Sequence, residues 1–173
     1  MRIALELEAG RLRVMSSIIK RKRLYVRVRC IVIDEPRGTI LVQEDTKTKT
    51  ISLPGGRVEV GEPLPLCAVR ELKEEAGIEV KPVRMVYVVD NISEDRSLRH
   101  DVMVYFKCEY EGAAPIIHEK RLGDAILKWV VIDEISDRFY PRPLARYLIR
   151  DYPNYSNKIF LTIKNDEEVF ILD

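Results

Sequence analysis

The residues of this chain best suited to chemistry are Arg70, Glu71, Glu74 and Glu75, which follow paired glycines at Gly55 and Gly56 and precede Gly77. From Gly56 five residues lead to Glu62 and seven more to Arg70, and then the chain reads Arg70-Glu71-Leu72-x-Glu74-Glu75-x-Gly77-Ile78. Seven specified positions coincide at such spacing with a chance probability on the order of 10⁻⁸ per start point. On a helix, carboxylates at i, i+3 and i+4 repel by roughly 0.2–0.5 kcal/mol per pair, and only Arg70 is placed to offset Glu74. The pattern therefore calls for a cation. Oxygen-only ligands suit Mg²⁺, with Mn²⁺ as substitute, because hard divalent cations bridge a few carboxylates to substrate phosphates. Zinc would need a Cys/His cluster, which the chain lacks.

A short helix has to position these groups. Pro63 and Pro65 suit its entrance and Gly77 its left-handed exit, so the spacing predicts a helix over residues 64–76. At 100° per residue, Val69, Leu72 and Ala76 gather on a core side, while Glu71, Glu74 and Glu75 span an arc of about 100° opposite. Gly55 and Gly56 lie between a strand and the helix entrance, where missing side chains let backbone groups approach a metal or a phosphate.

The segment resembles the Nudix box at all of its specified positions, from Gly56 to Ile78, and the flanking strand pattern from Leu24 to Arg150 is compatible with that domain. The resemblance implies an α/β fold, an α/β/α sandwich with a mixed sheet. It also implies Mg²⁺-dependent hydrolysis of a P–O–P linkage in a nucleoside diphosphate derivative or nucleoside triphosphate, with water attacking phosphorus. By the same resemblance Glu71, Glu74 and Glu75 hold the metal, and Gly56 lends its carbonyl. Arg70 orients its acidic neighbour, Glu62 braces Arg70, and Gly55 and Gly77 support the site. The general base varies within the family; Glu71 is the first candidate and Glu119 the alternative. Enzymes cutting ADP-ribose often carry a proline beyond the box, and those for diadenosine polyphosphates a tyrosine. Here that window reads Ser93-Glu94-Asp95, so an ADP-ribose pyrophosphatase stays an open alternative. A non-catalytic Nudix-fold nucleotide sensor is the alternative of another class, but sensors usually lose box residues.

A chain of 173 residues with 46% hydrophobic content can fill one core. The expected organisation is a single domain over residues 1–173, with an added hairpin in 1–20 and another in 156–173. A net charge of +1 gives no bulk attraction to nucleic acid or membrane, so the expected partner is a nucleotide-type small molecule. Three cysteines without metal spacing fit a reducing compartment. With Glu6 and Glu8 near the start and no long apolar run, the expected location is the cytoplasm.

Alternation predicts strands over 24–33, 39–44, 79–90, 100–110 and 126–132, and a helix from Pro143 to Arg150. The stretch IIHEKRLG reads as a loop. Residues 159–163 and 168–172 flank Asn165-Asp166 as a terminal hairpin, whose edges invite pairing with the N-terminal hairpin or a second subunit in a homodimer. On the strand after Leu24, Tyr25, Arg27 and Arg29 share a face and are candidate substrate readers, the guanidinium groups forking onto phosphate or ribose and the ring stacking on a base.

Overall fold

The computed structural model describes residues 5–8, 11–14, 23–94, 99–111, 120–135 and 138–172. Its strands are β1 (Leu5–Glu8), β2 (Arg11–Val14), β3 (Arg23–Ile31), β4 (Ile33–Asp34), β5 (Thr39–Asp45), β6 (Ile51–Ser52), β7 (Val80–Ser93), β8 (Arg99–Tyr110), β9 (Lys120–Leu122), β10 (Ala125–Val131), β11 (Ile159–Lys164) and β12 (Glu167–Leu172). Among the described residues there are also two α-helices, α1 (Leu64–Ala76) and α2 (Arg142–Asp151), and two short 3₁₀ turns at Glu35–Arg37 and Ile132–Glu134.

Valine, isoleucine and aromatic residues dominate the long strands, as a pleated, half-buried surface favours. The larger sheet runs β12-β11-β7-β8-β3 and is mixed: β7 and β8 are antiparallel, whereas β3 lies parallel to β8 and β11 parallel to β7. A second sheet runs β4-β5-β10-β9, with β6 also on β5. The chain passes between sheets at Val32, which leaves β3 and accepts a bond from Leu41 N–H at 2.9 Å. One core cluster joins both sheets to α2 through Tyr87, Tyr105, Ile40, Leu144, Leu148 and Leu161. The other lies under α1 and includes Val28, Cys30, Leu41, Phe106 and Leu127. A helix on each side of the strands gives the expected α/β arrangement.

The box helix has the expected bounds. Gly77 takes φ 71°, its N–H reaches Lys73 O at 3.0 Å, and Ile78 N–H reaches Leu72 O at 3.3 Å, a left-handed C-terminal cap that also buries Ile78. Its buried stripe differs from the expected one: Cys67, Ala68 and Leu72 are buried, while Val69 is half-buried. The helix is rolled so that Ala68, directly one turn before Leu72, meets β3; the Cys30 thiol donates to Ala68 O.

Three further expectations are revised. The supposed loop before Trp129 contains β9, antiparallel to β10; a three-residue Lys-Arg-Leu strand has too few residues to display alternation. The terminal hairpin turns at Asn165 and Asp166, both at positive φ, but β11 adds in parallel to β7 rather than to the N-terminal hairpin. Among the described residues, β1 and β2 pair only with each other. Finally, β7 runs on through Asn91–Ser93, past the expected strand end at residue 90, because these residues pair with Arg99–Asp101 across the hairpin.

Candidate active site

The segment after β6 lies antiparallel along the edge of β3. Cys30 N–H bonds Pro54 O at 2.9 Å, Val28 N–H bonds Gly56 O at 2.9 Å, and Val58 N–H bonds Val26 O at 3.0 Å. The two glycines are required for different reasons. Gly55 has φ 130°, and a Cβ there would fall 2.3 Å from Val28 O. At Gly56 a Cβ would fall 2.3–2.5 Å from the carboxylate of Glu71. The missing side chain thus seats a box glutamate against the loop backbone.

Arg70 ties the helix to the loop. Its Nε and Nη2 donate to the two oxygens of Glu62 at 2.7 and 2.9 Å, a bidentate pair. Nη1 donates to Glu71 at 2.8 Å and to Glu74 at 3.3 Å, and Nη2 also reaches Arg57 O at 3.2 Å. The hydrogen bonds from Arg70 and, less, from Glu59 N–H hold the Glu62 carboxyl down at about 2. Arg70 itself is raised above its ordinary value, by Glu62 foremost.

Glu75 accepts from Gly55 N–H at 3.0 Å. Burial raises its carboxyl above the ordinary glutamate range, opposed by that bond and by a bond from Gln43, the chain's single glutamine. Glu74, with 60% of its side chain accessible, lies outermost, whereas Glu71 retains 13%. The three glutamates therefore differ in exposure along the acidic side of the helix. Among the described residues no group of three His, Cys, Asp or Glu side chains is gathered as a ready cation cage. The reason lies in their partners: Arg70 draws Glu71 and Glu74, and Gly55 draws Glu75. The donor set nonetheless fits a hard divalent cation, since the carboxylates of Glu62, Glu71 and Glu74 surround one guanidinium, Glu75 lies on the same helix, and the Gly56 cradle keeps Glu71 turned to the loop. Gly56 O accepts one bond from Val28 and keeps a lone pair.

The candidate substrate readers have mostly acquired other partners. Arg29 Nη1 donates to Leu53 O and Gly55 O, both at 2.9 Å, holding the loop. Arg27 donates to buried Asp101 at 3.0 Å, and Arg99 bonds the other oxygen of the same carboxylate. Tyr25 is half-buried, with the Arg57 guanidinium carbon 3.8 Å from its ring centroid and that of Arg27 at 5.6 Å. Glu119 lies outside the described residues. Burial chiefly pushes the Cys67 thiol up to about 12, against formation of the thiolate.

Gln43, Arg57 and Asp101 escaped the sequence reading. Asp101 sits in an alternating strand where a carboxylate on the inward face was the available signal. Gln43 and Arg57 carried none, because their neighbours come from distant segments.

A family model described as the NUDIX domain matches residues 24–152. NAD-capped RNA hydrolase NudC of Escherichia coli (strain SMS-3-5 / SECEC) is 32% identical over 135 residues, covering 76% of this chain and 50% of that protein. NudC of Stutzerimonas stutzeri is 31% identical over 97 residues, covering 56% and 33%. The chain thus spans half or less of the length of these curated relatives. In fold it is similar to a MutT protein from Bacillus halodurans, with a TM-score of 0.68 at 21% identity, covering 86% of this chain and 96% of the other. A NUDIX hydrolase from Nitrosomonas europaea gives a TM-score of 0.61 at 20% identity, covering 79% and 93%.

Proposed function

The chain belongs to the Nudix hydrolase family, and from that premise we propose that it is a Mg²⁺-dependent pyrophosphohydrolase cleaving the P–O–P linkage of nucleoside diphosphate derivatives. The observation that carries this reading is the seating of Glu71 against Gly56, with Glu75 on Gly55 N–H and Glu74 one turn away, so that carboxylates from one helix converge on one loop.

Glu71, Glu74 and Glu75, with the Gly56 carbonyl, would hold the cation, which when bound supplies neutralisation of phosphate charge and a more acidic water. Arg70, clamped by Glu62, fixes where Glu71 points. Glu71, seated against the loop at Gly56 and held there by Arg70, is the first candidate to take the proton from the attacking water, and Glu119 remains the alternative. The water oxygen ends on one phosphorus, the bridging oxygen leaves on the other, and one proton is released to the base.

Nucleoside diphosphates joined to a second group are the favoured substrates. The likeness to NudC over this domain puts NAD-type dinucleotides first among them, ADP-ribose second and nucleoside triphosphates third. The setting proposed for this chemistry is the cytoplasm; among the described residues no helix is long and apolar enough to cross a membrane.

The test is a Mg²⁺-supplemented screen of NAD, ADP-ribose, nucleoside triphosphates and dinucleoside polyphosphates in ¹⁸O-labelled water. Label on a phosphorus-containing product, with turnover abolished by chelator, is the expected result. Turnover of none of these compounds, or label only on a sugar carbon, would overturn the reading.

A further inference from the structure

Among the described residues around the cleft, each guanidinium but one is held by at least one hydrogen bond to a protein oxygen. Arg70 is held by Glu62, Glu71 and Glu74, Arg29 by two loop carbonyls, and Arg27 and Arg99 share Asp101. Arg57 is the exception. It is exposed, and among the described residues no carboxylate lies within ion-pairing distance of it.

Its position is nonetheless fixed. The Arg57 carbonyl accepts from Arg70 Nη2 and from the Cys67 thiol, and its backbone bridges to Arg27 on β3. It follows Gly56 directly, one residue beyond the point that touches the Glu71 carboxylate. The guanidinium lies over the Tyr25 ring at 3.8 Å. Stacking of this kind uses the face of the guanidinium and leaves its N–H edge available in the plane. A second cation, Arg27, stands 5.6 Å from the same ring and is paired with Asp101, so at this ring the guanidinium with no carboxylate partner among the described residues is that of Arg57. A planar fork of N–H donors with no carboxylate partner among the described residues, beside a cluster of carboxylates that would hold a cation, is matched by phosphate oxygens.

We propose that Arg57, seated over the Tyr25 ring, positions a phosphate of the substrate's pyrophosphate bridge, and that Tyr25 serves as its pad rather than as a base-stacking surface. The assignment rests on the hydrolase reading above. It also explains why Arg27 and Arg29, better placed by sequence pattern, are not the phosphate receivers: their donors already hold the sheet edge and the loop.

The test combines kinetics with calorimetric binding of a methylene-bridged ADP analogue, whose P–C–P link water cannot cut, to the full chain with Mg²⁺. Arg57→Ala is expected to weaken binding of the analogue by about 10- to 150-fold, the loss of a charged hydrogen bond, and to raise KM by more than it lowers kcat. Arg57→Lys should recover part of the affinity, Tyr25→Phe nearly all of it, and Tyr25→Ala should fall between. Unfolding midpoints matching the parent protein would establish that each variant folds. An unchanged dissociation constant in Arg57→Ala, with turnover retained, would overturn the proposal and leave the hydrolase reading intact. A fall in kcat at constant affinity would overturn it too, since Arg57 would then act in the chemistry. Absence of turnover in the parent protein, with weaker analogue binding in Arg57→Ala, would overturn the hydrolase reading while supporting the phosphate contact.

Discussion

The Cα of Gly56 lies against the carboxylate of Glu71, so that a Cβ would fall 2.3 Å from Glu71 Oε1, while its neighbour Gly55 would bring a Cβ equally close to the backbone oxygen of Val28. The two clashes differ in kind. A carboxylate at the end of a flexible side chain can move aside, whereas β3 backbone cannot. Gly56→Ala is therefore expected to fold with nearly the parent unfolding midpoint yet lose most of its activity, because Glu71 is pushed off the loop. Gly55→Ala, strained by its φ of 130° as well, should destabilise the fold by about 1–3 kcal/mol or more. Thermal unfolding and turnover measured on both variants decide this; equal stability losses would refute the distinction.

Arg29 joins β3 to the glycine loop by two bonds to carbonyls of buried residues. Its loss leaves those oxygens without their charged donor, which costs about 1.5–3 kcal/mol for such a bond. Arg29→Ala should lower the urea midpoint with little change in the denaturant slope. A variant with parent-like stability and only a raised KM would restore Arg29 to the role its strand pattern first suggested.

The box itself was legible in the sequence because its chemistry is local: a helix of thirteen residues, its exit glycine and the spacing of its carboxylates all lie within one turn-by-turn register. The strand hairpin of β7 and β8 was legible for the same reason. What escaped was long-range. Parallel pairing of β11 with β7 leaves no turn signature, and β9 is too short for a period. The capture of Arg29 by Leu53 O and of Arg27 by Asp101 depends on loop and strand partners far away in the chain. At the two glycines the missing side chains make room for Glu71 and for the β3 backbone, neighbours that the local sequence could not name.

The glutamates of α1 supply a prediction separate from turnover. A cation that binds the folded chain alone stabilises it by mass action, about 2.7 kcal/mol at a hundred times its dissociation constant. For a chain of this size that corresponds to roughly 5–10 °C in the unfolding midpoint. Mg²⁺ or Mn²⁺ should raise the midpoint of the parent protein, and Glu75→Gln should lose most of that rise along with about 10²–10⁴-fold in kcat. Glu71→Gln and Glu74→Gln are expected to behave similarly. The same midpoint in chelator and in saturating Mg²⁺ would contradict the assignment of these residues as ligands.

Away from the site, Glu44 on β5 sets a pH dependence. Its side chain retains 9% exposure and receives Lys128 Nζ at 2.6 Å and Arg138 Nη1 at 2.9 Å, with Lys49 Nζ at 3.8 Å. The hydrogen bond from Lys128 chiefly, with its charge and Arg138, outweighs burial and holds the carboxyl below its ordinary value. As pH falls, the unfolded chain therefore takes up a proton at about 4.3 before the folded chain does. Stability from this group is complete above that value and is lost as pH drops from there through the lower folded-state value. Glu44→Gln, which cannot titrate, should be less stable than the parent at pH 7 by about 1–3 kcal/mol, and the gap should narrow by pH 3.5. Urea midpoints of both proteins across that range provide the check; a gap independent of pH would mean that Glu44 contributes by packing and not by charge.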